Sequence, residues 1–65
     1  MPGMLASMRR NDKQDLIVDA ALAVFREKGY ANTRMADIAK RAGVSYGLVY
    51  HYFGSKEFIF YVILD

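Results

Sequence analysis

The sequence predicts an all-α fold, a three-helix bundle containing a helix-turn-helix and followed by the start of a fourth helix. Two stretches repeat apolar residues at helical spacing, Ile17 to Phe25 and Met35 to Ala42. Glycines at positions 29, 43 and 54 punctuate the chain after each helical segment. The connection Ala42-Gly43-Val44-Ser45 is too tight for anything but two helices crossing at a steep angle.

Met1 to Met8 shows no periodicity and contains Pro2, the only proline, so residues 1–10 read as a disordered leader. Asn11 and Asp12 are candidate N-caps, because their side-chain oxygens accept from free backbone N–H groups. Ile17, Ala20, Ala21, Val24 and Phe25 then line one helical face, with Asp15, Asp19, Arg26 and Glu27 on the other side. Lys28 supplies a cation for the last turn and Gly29 a residue free to take positive φ. Helix one is expected over about residues 12–28.

Asn32 and Thr33 are the next cap candidates. Met35, Ile38, Ala39 and Ala42 give a short second helix that Gly43 ends, with Asp37 and Arg41 as an i, i+4 pair of favourable order. Ser45 is a good N-cap for a third helix, which Gly54 breaks. Ser55 caps a fourth, with Glu57 in its first turn, where the helix dipole favours an anion. Phe58, Ile59, Phe60, Val62, Ile63 and Leu64 make this last helix apolar on nearly every side, so it requires cover on several faces. Three short helices cannot supply that cover, and residues 1–65 are expected to be the front of a longer protein. The domain expected over 11–54 would carry the helix-turn-helix, and 55–65 would begin a connecting helix.

Bulk properties narrow the function. A chain of 65 residues holds one small domain, burying only about 60% of its unfolded surface. With 54% hydrophobic and 25% charged residues the composition is globular. A net charge of +2 favours an anionic partner only if the cations cluster. Without cysteine there is no disulfide, thiolate metal site or cysteine nucleophile. The single histidine, His51, has no spaced carboxylate pair or glycine-rich loop beside it, and no convincing catalytic set forms with Ser45 and Ser55. No enzyme activity, cofactor or metal is therefore expected. The longest apolar run, Phe58 to Leu64, falls well short of the roughly 18–20 residues that span a bilayer. No signal peptide is visible at the start, which makes the cytoplasm the default location.

The third helix has an unusual outer face. On a wheel of about 100° per residue, Val49 and Phe53 point one way, flanked by Ser45 and Tyr52. Gly47 and His51 point the opposite way, bordered by Tyr46, Tyr50 and Leu48. Tyrosine hydroxyls and imidazole hydrogen-bond phosphates or base edges, glycine permits close backbone approach, and leucine meets a thymine methyl. The same aromatics would also suit the apolar surface of a partner helix. Arg34, Lys40, Arg41 and Lys56 place cations at helix ends, where a helix-turn-helix crosses the DNA backbone. Lys56 opposes the dipole of its own helix, which a nearby phosphate would offset. Arg9 and Arg10 read either as a solvated tail or as an arm reaching the minor groove.

Ile17 to Tyr30 (IVDAALAVFREKGY), Thr33 to Ser45 (TRMADIAKRAGVS) and Tyr46 to Glu57 (YGLVYHYFGSKE) resemble, in order and spacing, the signature of TetR-family regulators. The stretch from Asp37 to Ser45 is shared with lac-repressor-type headpieces, but Val49 to Glu57 is specific to the TetR pattern. The resemblance, over about residues 12–65, implies a homeodomain-like reading head on a homodimeric repressor. Such a repressor binds a palindromic double-stranded DNA operator, and a small-molecule inducer held by a carboxy-terminal dimerisation domain releases it. By position, it implies base reading or close approach at Tyr46 and Gly47, and phosphate or base contact at Tyr50 and His51. It further implies phosphate contact at Lys56 and around Thr33 and Arg34, with Tyr52 partly packed. Ser45 and Leu48 complete the expected DNA-binding set on the third helix. A helical protein-interaction module built on Tyr46, Leu48, Tyr50 and His51 is the competing expectation.

Overall fold

The computed structural model describes the backbone of residues 2–64 and the side chains of residues 13–64. Among the described residues there are four helices: α1 over Pro2–Lys28, α2 over Met35–Ala42, α3 over Tyr46–Tyr52 and α4 over Lys56–Leu64. The all-α expectation holds. Helix α1 begins earlier than the apolar periodicity marks, so residues 2–10 are helical rather than a disordered leader. Pro2 takes the first helical position, where its missing N–H is not needed, and the Met, Leu, Ala and Arg residues that follow are strong helix formers. Asn11 and Asp12 consequently lie within the helix rather than at its start, and their side chains lie outside those described.

The core is where the apolar spacing places it. Ile17, Ala20, Ala21 and Val24 are buried on α1, and Met35, Ile38 and Ala39 on α2. Val49, Phe53 and Ile59 close the cluster from α3, its C-cap and α4. Ile17, Ile38, Val49, Phe53 and Ile59 are each wholly buried, and each such burial contributes about 1.5–3 kcal/mol. Phe25, half-buried, packs against this core and also meets Tyr30 and Phe60, with ring centroids 5.2 and 6.1 Å away.

The two tight connections are built differently. Gly43 sits at φ +74° and ends α2 in a Schellman motif. Its N–H donates to the Lys40 carbonyl at 3.2 Å and that of Val44 donates to the Ala39 carbonyl at 3.1 Å. Val44 then packs on the core, and Ser45 opens α3 directly. At the end of α1, Gly29 takes φ +87°. Here Asn32 and Thr33 work backward rather than forward. The Asn32 amide donates to the Lys28 carbonyl at 3.0 Å and the Thr33 hydroxyl to the Gly29 carbonyl at 2.8 Å. Both side chains donate to carbonyls at or just past the end of α1, so neither caps α2.

Arg34 occupies the N-cap of α2 instead. A guanidinium has no acceptor, and the Asp37 carboxylate reaches back to accept from the Arg34 backbone N–H at 3.0 Å. The expected Asp37–Arg41 pair on one helix is replaced by two pairs across helices. Lys28 meets Asp37 at 3.2 Å and Arg41 meets Glu27 at 2.6 Å, both joining α1 to α2. The close approach of α1 offers partners that an isolated helix lacks. Ser55 caps α4 as expected, accepting from the Phe58 N–H at 3.2 Å. On α4 itself only Ile59 is buried, while Phe58, Phe60, Tyr61 and Leu64 stay exposed.

Two outcomes test this construction. Phe53→Ala should destabilise the fold by about 3–5 kcal/mol, seen as a collapse of the cooperative thermal transition by circular dichroism. The Arg34 N–H, then Lys28, hold the Asp37 carboxyl below its ordinary value of 3.8. A depressed carboxyl stabilises the fold above its unfolded pKa and ceases to do so as pH falls through the folded one. Asp37→Ala should therefore lower the melting temperature at neutral pH, and the gap from the unsubstituted chain should close below about pH 3.8.

Candidate nucleic-acid interface

The second helix of the helix-turn-helix is held by its inner side. Val49 and Phe53 are wholly buried, one turn apart, and set the rotation of α3. Its first turn is closed by Ser45, whose Oγ accepts from the Leu48 N–H at 3.0 Å. The Ser45 hydroxyl proton remains available to donate outward, and the residue is exposed. Tyr46 and Tyr50 then stand 52% and 43% exposed, with Gly47 and His51 also exposed and Leu48 half-buried. A Cβ added at Gly47 would meet nothing within 4 Å, so the backbone there lies open to an approaching surface.

Tyr46 and Tyr50 lie together. Their rings meet edge to face with centroids 4.9 Å apart, and their hydroxyls are 3.4 Å apart. Hydrogen bonding to Tyr46, then the charge of Tyr46, holds the Tyr50 phenol above its usual pKa. Tyr50 thus keeps its proton, and its capacity to donate, throughout the neutral range. The His51 ring packs edge-on against Tyr52 at 5.3 Å, and Tyr52, 37% exposed, is partly packed.

The flanking candidates divide. Arg34 stands exposed at the start of α2, its backbone tied by Asp37 and its guanidinium outside any ion pair among the described residues. Thr33 is only 2% exposed, and both its hydroxyl and its N–H are committed to the preceding turn. The geometry therefore removes Thr33 from the surface a phosphate could reach. Lys56 is half-buried: its Nζ donates to the Tyr30 carbonyl at 2.8 Å and lies 4.3 Å from the centre of the Tyr30 ring. Backbone oxygen and ring face offset the cost of a cation at a helix start, so no phosphate is needed to explain its position. An ammonium has three donors, and two remain. Arg9 and Arg10 lie outside the residues whose side chains are described.

Tyr30 is the residue that sequence reasoning missed. It follows the Gly29 turn, with no periodicity to mark it, yet it joins Phe25 and Phe60 to Lys56. Burial, then Glu57, raises the pKa of its hydroxyl. The result is a convex edge, not a cavity: a short helix carrying hydroxyls, an imidazole and a bare glycine, with an exposed arginine on the preceding helix. That shape suits insertion into a groove. Among the described residues no three potential metal ligands gather, and no helix is long and apolar enough to cross a membrane.

Comparison with known proteins agrees with this geometry. A family model described as bacterial regulatory proteins, tetR family, matches residues 17–61. The chain is 49% identical over 45 residues to the HTH-type transcriptional regulator BetI of Agrobacterium fabrum, covering 69% of this chain and 22% of that protein. It is 42% identical over 53 residues to the HTH-type transcriptional regulator HbdR of an Aromatoleum species, covering 82% and 23%. It is 43% identical over 49 residues to the fatty acid metabolism regulator protein of Bacillus subtilis, covering 75% and 25%. The chain thus spans about a quarter of the length of these curated relatives, and no solved structure matches it. By its helix-turn-helix and by the family model that spans it, this chain belongs to the TetR family of bacterial regulatory proteins.

Proposed function

We propose that this chain is the DNA-reading head of a sequence-specific transcriptional regulator, with α3 lying in the major groove of an operator. One observation carries the reading: α3 is locked from beneath by Val49 and Phe53 while Tyr46, Gly47, Tyr50 and His51 stay exposed on its other side. Tyr46 and His51 face base edges, Gly47 lets the backbone approach, and Leu48 offers methyl contact at the margin. Ser45, Tyr50 and Arg34 donate to phosphates, as do the two free donors of Lys56. The family membership supports this assignment, and the relatives bear names of transcriptional regulators.

The wider role follows the same line. The exposed apolar side of α4, Phe58, Phe60, Tyr61 and Leu64, is where a ligand-binding and dimerisation domain attaches. A homodimer then presents two copies of α3 to a palindromic operator, acting in the cytoplasm as a repressor that a small-molecule inducer releases. The matched residues make up 22% and 23% of two of the relatives, which leaves room for such a domain.

Selection of bound duplexes from random DNA should return a palindrome. Tyr46→Ala and His51→Ala should each cost about 1–3 kcal/mol on the selected site and little on random duplex. Lys56→Ala should weaken both duplexes alike and flatten the salt slope by about one unit. Affinity that ignores salt, with no retention by duplex, would instead favour a protein-binding face. Thr33→Val should cost stability of about 0.5–1.5 kcal/mol while leaving the affinity of the folded protein for DNA unchanged.

A further inference from the structure

Two tyrosines one turn apart on a short recognition helix would ordinarily offer a duplex two separate hydroxyl donors. Here they do not stand separately. The Tyr46 and Tyr50 hydroxyls are 3.4 Å apart and share a hydrogen bond, and their rings lie edge to face at 4.9 Å. A phenol has one proton, so whichever hydroxyl donates, one O–H is spent within the pair and one is left. Neither hydroxyl bonds any other group among the described residues. Both residues are exposed, at 52% and 43%.

We infer that Tyr46 and Tyr50 address DNA as a single unit with one outward hydroxyl donor, each side chain orienting the other. The inference rests on the DNA-reading role proposed above. The shared hydrogen bond polarises the remaining O–H and strengthens it as a donor. The ring contact restricts both side chains before binding, so less rotamer freedom is lost when the duplex arrives. The Tyr46 hydroxyl donates within the pair, so the outward proton is that of Tyr50, and its target is an acceptor: a phosphate oxygen or an acceptor on a base edge. The two side chains are therefore positioning residues for one another as much as contacts in their own right.

A double-substitution cycle in the intact chain tests this, using a duplex selected from random DNA and an unrelated duplex of the same length. Tyr46→Phe and Tyr50→Phe keep the rings and the helix, which matching thermal transitions should verify. Each should weaken binding about three- to tenfold. The double substitution should lose no more than about twofold beyond the worse single one, because both singles disable the same unit. Loss on both duplexes assigns the acceptor to phosphate, and loss on the selected duplex alone assigns it to a base edge. Single losses that multiply in the double variant would overturn the inference, as would a single substitution that leaves affinity unchanged. If the unsubstituted chain binds neither duplex, the DNA-reading role itself fails and the pair's role with it.

Discussion

The burial of Phe53 is the constraint on which the rest of the structure depends. It sits just beyond α3, wholly buried, in one cluster with Ile17 of α1, Ile38 of α2, Val49 of α3 and Ile59 of α4. A chain this short has room for one core only, so no second cluster could hold α3 if this one loosened. Val49 and Phe53 together set the rotation of α3, and the rotation decides which residues face outward. The exposure of Tyr46, Gly47, Tyr50 and His51 is thus a consequence of apolar packing on the opposite side.

Around that core, polar side chains serve mainly to close helix ends. Asn32 and Thr33 complete the end of α1, Asp37 begins α2, Ser45 begins α3 and Ser55 begins α4. The Schellman turn at Gly43 satisfies the end of α2 with backbone groups alone. The ion pairs Lys28–Asp37 and Arg41–Glu27 add little energy, since exposed pairs contribute about 0–1 kcal/mol. Their effect is to pair Lys28 of α1 and Arg41 of α2, leaving the exposed Arg34 and Lys40 outside any ion pair among the described residues.

Most of the site was legible because it rests on periodicity. Once Val49 and Phe53 are assigned inward, a helix of known pitch leaves Tyr46, Gly47, Tyr50 and His51 outward without further information. Thr33 and Lys56 were not legible in the same way. Thr33 can accept from the helix ahead or donate to the helix behind, and local sequence does not choose between them. The partner of Lys56 is a carbonyl 26 positions earlier, which no local pattern reveals.

By itself the sequence determined the number and order of the helices of the domain, their inner faces, the glycine turns, and the family signature from Ile17 to Glu57. Each of these follows from short-range chemistry: apolar spacing, capping oxygens and the backbone freedom of glycine. Only the tertiary structure decided that Asp37 and Arg41 pair across to α1, that Thr33 is buried, and that Lys56 rests on Tyr30. It also decided that Tyr46 and Tyr50 meet through their hydroxyls. These outcomes depend on which groups the packed helices and their rotamers bring within a few ångströms, and a polar side chain takes the nearest partner the fold supplies.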